Sequence, residues 1–242
     1  MSLADVWWLA CSFLMLVWVV YPLALGALSY LKGRREKAVA GFQPNVSVVI
    51  AAHNEAKNLA ARISNIFLSN YPDAYIEVVV ASDGSSDETS SVIDRLKEKY
   101  PRITLLKIAP QGGRSNAHNV AVKHCDGEIL VFTDAETVFE PNFMQKIVEC
   151  FQHEDVGFSS GLLKYRNQSS NAVTESAGIY WRFEYFLREL ESRLGIYAFG
   201  SGACCAVRKN LYRNIPPVGD VDFTTPLHGH ISYPATQHLA GS

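Results

Sequence analysis

The sequence lacks paired cysteines, and it lacks a surplus of positive charge. Its five cysteines are odd in number and include no C-x-x-C pair, the usual spacing of zinc and dithiol sites. This pattern predicts reduced thiols in a cytosolic compartment. The formal net charge of the 242 residues is -2, which argues against a nucleic-acid-binding surface and therefore against a nucleic-acid partner.

A second absence is local, because no charged residue occurs between Val6 and Leu31. As a helix this segment would be roughly 39 Å long at about 1.5 Å per residue, more than the roughly 30 Å hydrocarbon core of a bilayer. Residues 1–31 are therefore predicted to be a transmembrane anchor, in which tilt absorbs the excess length. Pro22 is expected to kink this helix. Trp18 and Tyr21 fall too near its middle to belong to an aromatic belt.

Basic residues follow the apolar segment. Lys32 to Lys37 reads KGRREK, whereas the N-terminal flank carries only Asp5. The positive-inside rule then makes residues 32–43 a basic juxtamembrane linker and places everything after Leu31 in the cytoplasm. The alternative is a cleaved signal peptide, but that requires a basic n-region, a shorter apolar core and a small-residue cleavage site. The anchor is the favoured prediction.

Strands and helices alternate along the first half of the remaining chain. Four apolar, β-branched runs are typical of buried strands: Val46 to Ala52, Ile76 to Ala81, Ile103 to Ile108 and Ile129 to Phe132. Each is followed by a polar loop and a helical pattern, which predicts a doubly wound, mostly parallel α/β sheet. The alternation fails after about Val156, and residues 171–194 predict one long, aromatic-rich helix.

Two carboxylates directly follow the fourth of these strands. Asp134 and Glu136 are spaced i, i+2, so in extended backbone both side chains point the same way. The carboxyl ends of parallel strands are where open α/β sheets bind ligands, and Mg²⁺ usually takes one or two protein carboxylates. We therefore predict that Asp134 and Glu136 are metal ligands rather than a surface cap.

The other strand-to-helix loops carry further polar candidates. Asn54 and Glu55 follow the first strand, Asp83 follows the second, and Arg114 follows the third. Taken alone, the segment around Asp83 is a turn with a helix N-cap. The glycine pair before Arg114 fits neither the dinucleotide fingerprint nor the P-loop spacing. Their common place at one edge of the predicted sheet is what makes them candidates for a ligand site.

Six segments, in this order, resemble family 2 glycosyltransferases, most closely the membrane-anchored branch of cellulose, hyaluronan and poly-N-acetylglucosamine synthases. They cover about residues 44 to 227 and read VSVVIAAHNEAKNL, VVVASDGSSDET, GGRSNAHN, GEILVFTDAE, GSGACCAVRKNLY and GDVDFTTPL. The resemblance implies a GT-A fold over residues 44–242. Residues 44–140 would be the nucleotide-sugar-binding half and residues 141–242 an incomplete acceptor-side half.

The resemblance also implies an inverting transfer from a uridine diphosphate sugar to a polysaccharide or lipid-linked glycan, with Mg²⁺ or Mn²⁺ as cofactor. Asn54 and Glu55 lie where the family's first loop meets the nucleotide. Asp83 matches the aspartate that holds the base or ribose, and Arg114 takes the usual lysine position near the nucleotide.

The D-x-D metal motif of the family is matched by Asp134 and Glu136, with Asp134 also near the donor. The resemblance implies that Asp222 is the general base, with Asp220 as the second candidate. The metal motif departs from the family pattern, because it reads D-A-E. Val221 is a further departure, since relatives often carry an acidic residue there.

A third departure is that the chain contains no Q-x-x-R-W motif. The sequence is therefore expected to be a truncated member, or one whose acceptor site is completed by a partner subunit. A second functional hypothesis is a catalytically silent nucleotide-sugar-binding subunit of a membrane complex. A nicotinamide dehydrogenase is disfavoured, because the first strand is followed by HNE rather than by a glycine fingerprint.

Overall fold

Six strands form one sheet in the computed structural model of the chain, which describes residues 1–32, 41–154, 156–161, 172–195, 200, 203–221 and 224. The strands are β1 Val46–Ala52, β2 Ile76–Asp83, β3 Ile103–Ile108, β4 Ile129–Thr133, β5 Phe158–Ser160 and β6 Cys204–Arg208. Their spatial order is β3-β2-β1-β4-β6-β5.

Parallel pairing dominates the sheet. Strand β1 runs parallel to β2 and β4, and β2 runs parallel to β3, whereas β6 is antiparallel to β4 and β5. In this register Val46 lies opposite both Ile76 and Ile129, so β1, β2 and β4 begin at the same level. Their following loops therefore meet at one edge. The doubly wound prediction is confirmed, and the antiparallel strand β6 lies in the part of the chain where the alternation fails.

Helices connect and flank these strands. They are α1 Leu3–Met15, α2 Tyr21–Lys32, α3 Ala56–Phe67, α4 Thr89–Lys99, α5 Arg114–Val122, α6 Phe143–Glu149 and α7 Ala172–Leu194. Short 3-10 turns span Asp73–Tyr75, Cys150–Gln152 and Lys209–Leu211. The long helix predicted over residues 171–194 is confirmed by α7. Gly195 follows it at φ 74°, a left-handed conformation that glycine adopts readily.

Apolar side chains cover both faces of the sheet. Along β1, Val48 and Ile50 belong to the core beneath α3 and α6, whereas Val49 belongs to the core beneath α5. This alternation buries the strand on both sides, as its continuous apolar sequence predicts. The rigid layers hold the polar loops at the carboxyl edge, where the candidate site lies.

The N-terminal segment is one helix, Leu3–Lys32, that is long and apolar enough to cross a membrane. It contains a π-helical turn, Leu16–Val20, between α1 and α2. Pro22 has no N–H to donate to the carbonyl four residues before it. The turn before Pro22 is wider than usual, since the N–H of Tyr21 donates to the carbonyl of Leu16, five residues back. The disturbance expected from Pro22 thus coincides with the π turn.

Candidate active site

A cavity of about 380 Å³ opens at the carboxyl ends of the parallel strands. It is bounded by the end of β2 and by residues that follow β1, β3 and β4. Five of the residues predicted from the sequence line it together: Glu55, Asp83, Arg114, Asp134 and Glu136. Four of these are carboxylates and one is a guanidinium, so they bring a formal charge of -3 to the cavity.

Asn54 lies beside this cavity and fastens two loops together. It has φ 58°, a left-handed conformation that asparagine tolerates better than most residues. Its side-chain oxygen accepts hydrogen bonds from the backbone N–H of Ser86 at 2.9 Å and of Asp87 at 3.3 Å. Asn54 is absent from the described residues that line the cavity. Its contact with a nucleotide therefore stays a prediction.

Asp83 is a buried carboxylate at the end of β2, with 4% of its surface exposed. Its two oxygens accept hydrogen bonds from the backbone N–H of Gly112 at 2.8 Å and of Gly113 at 2.7 Å. Gly113 has φ 86°, which favours glycine. Asp83 thus anchors the glycine pair that precedes α5, and its contact with a base or ribose stays a prediction.

His53 is a cavity residue that the sequence analysis did not select. Its ring Nδ1 lies 2.7 Å from the carbonyl oxygen of Asp83, so it links the ends of β1 and β2. The signal for it was available, because His53 directly precedes Asn54 in the loop after β1.

Arg114, the first residue of α5, lies between two carboxylates. Its guanidinium forms an ion pair with Asp134, and its Nε lies 4.0 Å from the Oδ1 of Asp220. The side chain of Asp220 is 55% exposed. Asp220, the second base candidate, therefore stands at the rim of the cavity through its contact with Arg114.

The segment before Asp220 is held against α5 by hydrogen bonds. The side-chain amide of Asn119 donates to the carbonyl of Ile215 and accepts from its N–H, each at 2.8 Å. The hydroxyl of Ser115 donates to the carbonyl of Gly219. Asp222 lies outside the residues that the structure describes, so its assignment as general base stays a prediction.

Asp134 and Glu136 fit a divalent cation by donor type, because both are carboxylates that line the same acidic cavity. Within the described part of the chain, no group of three His, Cys, Asp or Glu side chains is arranged as a metal site. Mg²⁺ needs only one or two protein carboxylates when water and substrate phosphates complete its shell. The pair thus suits an ion shared with a substrate rather than one enclosed by protein.

Arg62 is a buried cation behind the metal motif, and the sequence analysis missed it. It is 2% exposed, lies in α3, and donates to the hydroxyl of Thr133 at 2.9 Å and to the side chain of Asn65 at 2.8 Å. Its guanidinium carbon is 3.7 Å from the ring centre of Phe139. Burial lowers the pKa of Arg62 to about 10, so it is charged at neutral pH. The available signal was its place on the apolar face of α3, three residues after Leu59.

Cys204 and Cys205 lie in the core, where small apolar side chains are expected. Burial raises the pKa of the Cys204 thiol above its usual range and that of Cys125 to about 12. These thiols are therefore protonated and packed, which gives them no part in the cavity's chemistry.

The chain belongs to glycosyl transferase family 2, whose family model matches residues 47–215. It is 28% identical to the beta-monoglucosyldiacylglycerol synthase of Trichormus variabilis over 174 residues, which is 71% of this chain and 37% of that protein. It is 25% identical to the poly-beta-1,6-N-acetyl-D-glucosamine synthase of Staphylococcus aureus over 167 residues, 65% of this chain and 39% of that protein. The chain thus spans less than half the length of either relative.

A solved structure shares the fold. The mannosyltransferase PcManGT from Pyrobaculum calidifontis, in complex with GDP-Man and Mn²⁺, matches with a TM-score of 0.72 and 25% identity, covering 92% of this chain and 63% of that chain. Together with the six-stranded mixed sheet, this match confirms the predicted GT-A fold. The predicted family is confirmed as well.

Proposed function

We propose that this chain is a membrane-anchored, inverting glycosyltransferase. It would transfer a sugar from a nucleotide diphosphate sugar, and specifically a uridine diphosphate sugar, to a polysaccharide or lipid-linked glycan. One observation carries the proposal: Glu55, Asp83, Arg114, Asp134 and Glu136 come from separate parts of a family 2 chain and line one cavity. The names of the relatives, a glucolipid synthase and a glucosamine-polymer synthase, support both acceptor classes.

The charge of the cavity supports a divalent cofactor. A formal charge of -3 repels a diphosphate, so the donor needs an accompanying cation, Mg²⁺ or Mn²⁺. Asp134 and Glu136 would hold this ion, which would neutralise charge on the departing diphosphate. The Mn²⁺ in the PcManGT complex supports the same reading.

Arg114 would bind the diphosphate directly. Its guanidinium is planar, always charged and suited to bidentate bonds with phosphate oxygens. The side chain is 41% exposed and lines the cavity, so a phosphate group can reach it. To make that bond the guanidinium must at least partly leave Asp134.

A carboxylate would activate the acceptor. A sugar hydroxyl is a weak nucleophile, and a base that removes its proton during attack lowers the barrier. Asp222 is our first assignment for this base, and Asp220 is the second because it stands at the cavity rim beside Arg114. Attack from the face opposite the leaving diphosphate inverts the anomeric carbon.

The domain arrangement belongs to the same proposal. Residues 1–31 would anchor the protein, residues 32–43 would form a basic linker, and residues 44–242 would be the catalytic domain in the cytoplasm. The candidate span supports the anchor, and the basic flank supports the orientation. A partner subunit that completes the acceptor side belongs to the same proposal.

A catalytically silent nucleotide-sugar-binding subunit is the second candidate function. The ion pair between Arg114 and Asp134 favours it, because this pair engages a carboxylate that a metal would use. The longer Glu136 in the D-A-E motif favours it too. Both features are compatible with donor binding and weaken the case for turnover.

Purified protein in detergent, given a panel of nucleotide sugars and Mn²⁺, separates the two candidates. Metal-dependent release of the nucleoside diphosphate supports the transferase, whereas binding without release supports the silent subunit. Asp134→Asn should abolish release, and Asp222→Asn should abolish transfer while donor binding remains. Asp94→Asn, an exposed carboxylate on α4 paired with Lys97, is the matched control. Unchanged transfer in Asp222→Asn would eliminate that residue as the base.

A further inference from the structure

The helix Leu3–Lys32 is longer than a bilayer requires. Its 30 residues correspond to about 45 Å at about 1.5 Å per residue. The hydrocarbon core is about 30 Å thick, so about 15 Å must be tilted or lie outside it. The positions of Trp18 and Tyr21 are also unusual for a helix that spans the bilayer along its whole length. These residue types favour the interface, yet both lie near the middle of the helix.

The two halves of this helix have different surroundings. In residues 3–20, all of which are described, no side chain is buried. The five consecutive residues from Phe13 to Val17 are all exposed and apolar, and five in a row cover every face of a helix. In α2, by contrast, Leu25 and Ser29 lie four residues apart on one face and are each 3% exposed. Helix α2 also contacts α7.

Helix α7 is too highly charged for the hydrocarbon core. It carries the ion pair of Arg188 with Glu184 at 3.1 Å and a second pair of Arg193 with Glu189. Charged side chains are strongly disfavoured among lipid tails. Any part of the apolar helix that touches this region of α7 must therefore lie at or beyond the membrane surface.

Trp18 and Tyr21 both contact α7. The rings of Trp18 and Phe183 stack with their centres 5.1 Å apart. The hydroxyl of Tyr21 donates a hydrogen bond to the carboxylate of Glu191. Both contacts lie close to the point where the π turn ends and α2 begins.

We propose that the apolar helix leaves the hydrocarbon core at Trp18 to Tyr21, and that α2 and α7 form a helix pair in the lipid headgroup layer. The inference rests on the membrane anchor of the proposed function. It changes which residues span the bilayer: Leu3–Val20 does, and Tyr21–Lys32 does not. The surface formed by α2 and α7 would face lipid headgroups, and Trp18 and Tyr21 would then belong to the aromatic belt on that side.

The lengths agree with this division. Helix α1 has 13 residues and the π turn has 5, together about 27 Å, close to the thickness of the hydrocarbon core. Helix α2 has 12 residues, about 18 Å, close to the excess length.

Native and introduced cysteines give a direct test on the full chain in liposomes. Cys11 lies at the centre of the proposed span, and the other four cysteines are buried. Ala24→Cys and Ala27→Cys, each in a Cys11→Ala background, place a thiol at exposed positions of α2 with little change in volume. A water-soluble maleimide is added to both faces of the bilayer, before and after detergent.

The α2 thiols should react at least about tenfold faster than Cys11 before detergent, because a thiol in hydrocarbon meets neither the reagent nor the water that ionises it. Protection of both α2 thiols equal to that of Cys11 would place all of Val6 to Leu31 in the hydrocarbon and overturn the inference, while the anchor stands. Rapid labelling of Cys11 as well would remove the anchor and the inference together. The two failures are therefore distinguishable.

Discussion

Arg114→Gln is expected to change metal and nucleotide binding in opposite directions. The guanidinium pairs with Asp134, and its Nε lies 4.0 Å from the Oδ1 of Asp220. The positive charge next to these carboxylates is therefore that of Arg114. A divalent ion that binds Asp134 competes with the Arg114 guanidinium, whereas a diphosphate attracts the guanidinium. Glutamine keeps much of the side chain's length and polarity but removes the charge.

The size of each effect follows from the exposure of the pair. The Arg114 and Asp134 side chains are 41% and 32% exposed, and partly solvated pairs of this kind contribute about 0.2–1 kcal/mol. Removing the competitor should tighten Mn²⁺ binding about 1.4- to 5-fold, at about 1.4 kcal/mol per tenfold. Losing charged hydrogen bonds to the diphosphate, about 1.5–3 kcal/mol, should weaken nucleotide binding roughly 10- to 150-fold.

Titration calorimetry measures both affinities in the same preparation. Mn²⁺ is titrated alone, and uridine diphosphate is titrated at saturating Mn²⁺, into wild type and Arg114→Gln. Arg213→Gln is the control of equal charge change, because Arg213 is exposed and its guanidinium donates to the backbone carbonyls of Asn210 and Tyr212. Weaker Mn²⁺ binding in Arg114→Gln would refute the competition, and unchanged nucleotide affinity would refute the phosphate contact.

Three further predictions concern stability and are each measured by urea unfolding. Burial lowers the pKa of His118 to about 3. Below about pH 6.5 the imidazole of His118 therefore binds a proton in the unfolded state but stays neutral in the folded state. The free energy of unfolding at pH 5 should be lower by about 2 kcal/mol than at neutral pH. His118→Leu should lose this pH dependence, and an equal slope in both proteins would contradict it. Arg62→Met should cost about 1–3 kcal/mol because Thr133 and Asn65 lose a buried donor. Arg62→Lys should restore little of the lost stability, since a single ammonium group cannot replace the planar guanidinium that donates to both Thr133 and Asn65. Full stability in either variant would argue against a stabilising role for these hydrogen bonds. Gly113→Ala should cost about 1–3 kcal/mol from its backbone conformation alone, φ 86° and ψ 164°, because its Cβ would meet nothing within 4 Å. Gly84→Ala should cost more, since its Cβ would also lie 2.9 Å from that of Gln111, and the reverse order would show that this close contact adds little to the backbone strain.

Strand positions were accessible from the sequence, and strand ends were less so. The runs at Val46 to Ala52 and Ile103 to Ile108 match β1 and β3 residue for residue, because both are rich in the β-branched and apolar residues that strands favour. Strand β2 was predicted to end at Ala81 but continues to Asp83. Its last two residues are polar: Ser82 pairs with Ala52 of β1 and Lys107 of β3, and Asp83 pairs with Ile108 of β3. These pairs join residues that are far apart in the sequence, so the local pattern does not reveal them.

The sequence by itself determined which residues could form a site, because it shows which polar residues follow which buried strand. Parallel strands then deliver Glu55, Asp83, Arg114, Asp134 and Glu136 to a common edge. Only the tertiary structure decided how those side chains pair. The ion pair of Arg114 with Asp134 and the bonds of Asp83 to the glycine pair depend on strand order and register, which local patterns do not encode.

The N-terminal helix shows the same division. Its apolar composition alone predicted a membrane segment over residues 6–31. Composition does not say whether lipid or protein covers a given face, because both environments favour the same side chains. The burial of Leu25 and Ser29, together with the contact between α2 and α7, answered that question for α2, since only a folded partner can bury one face of a helix and leave the others exposed.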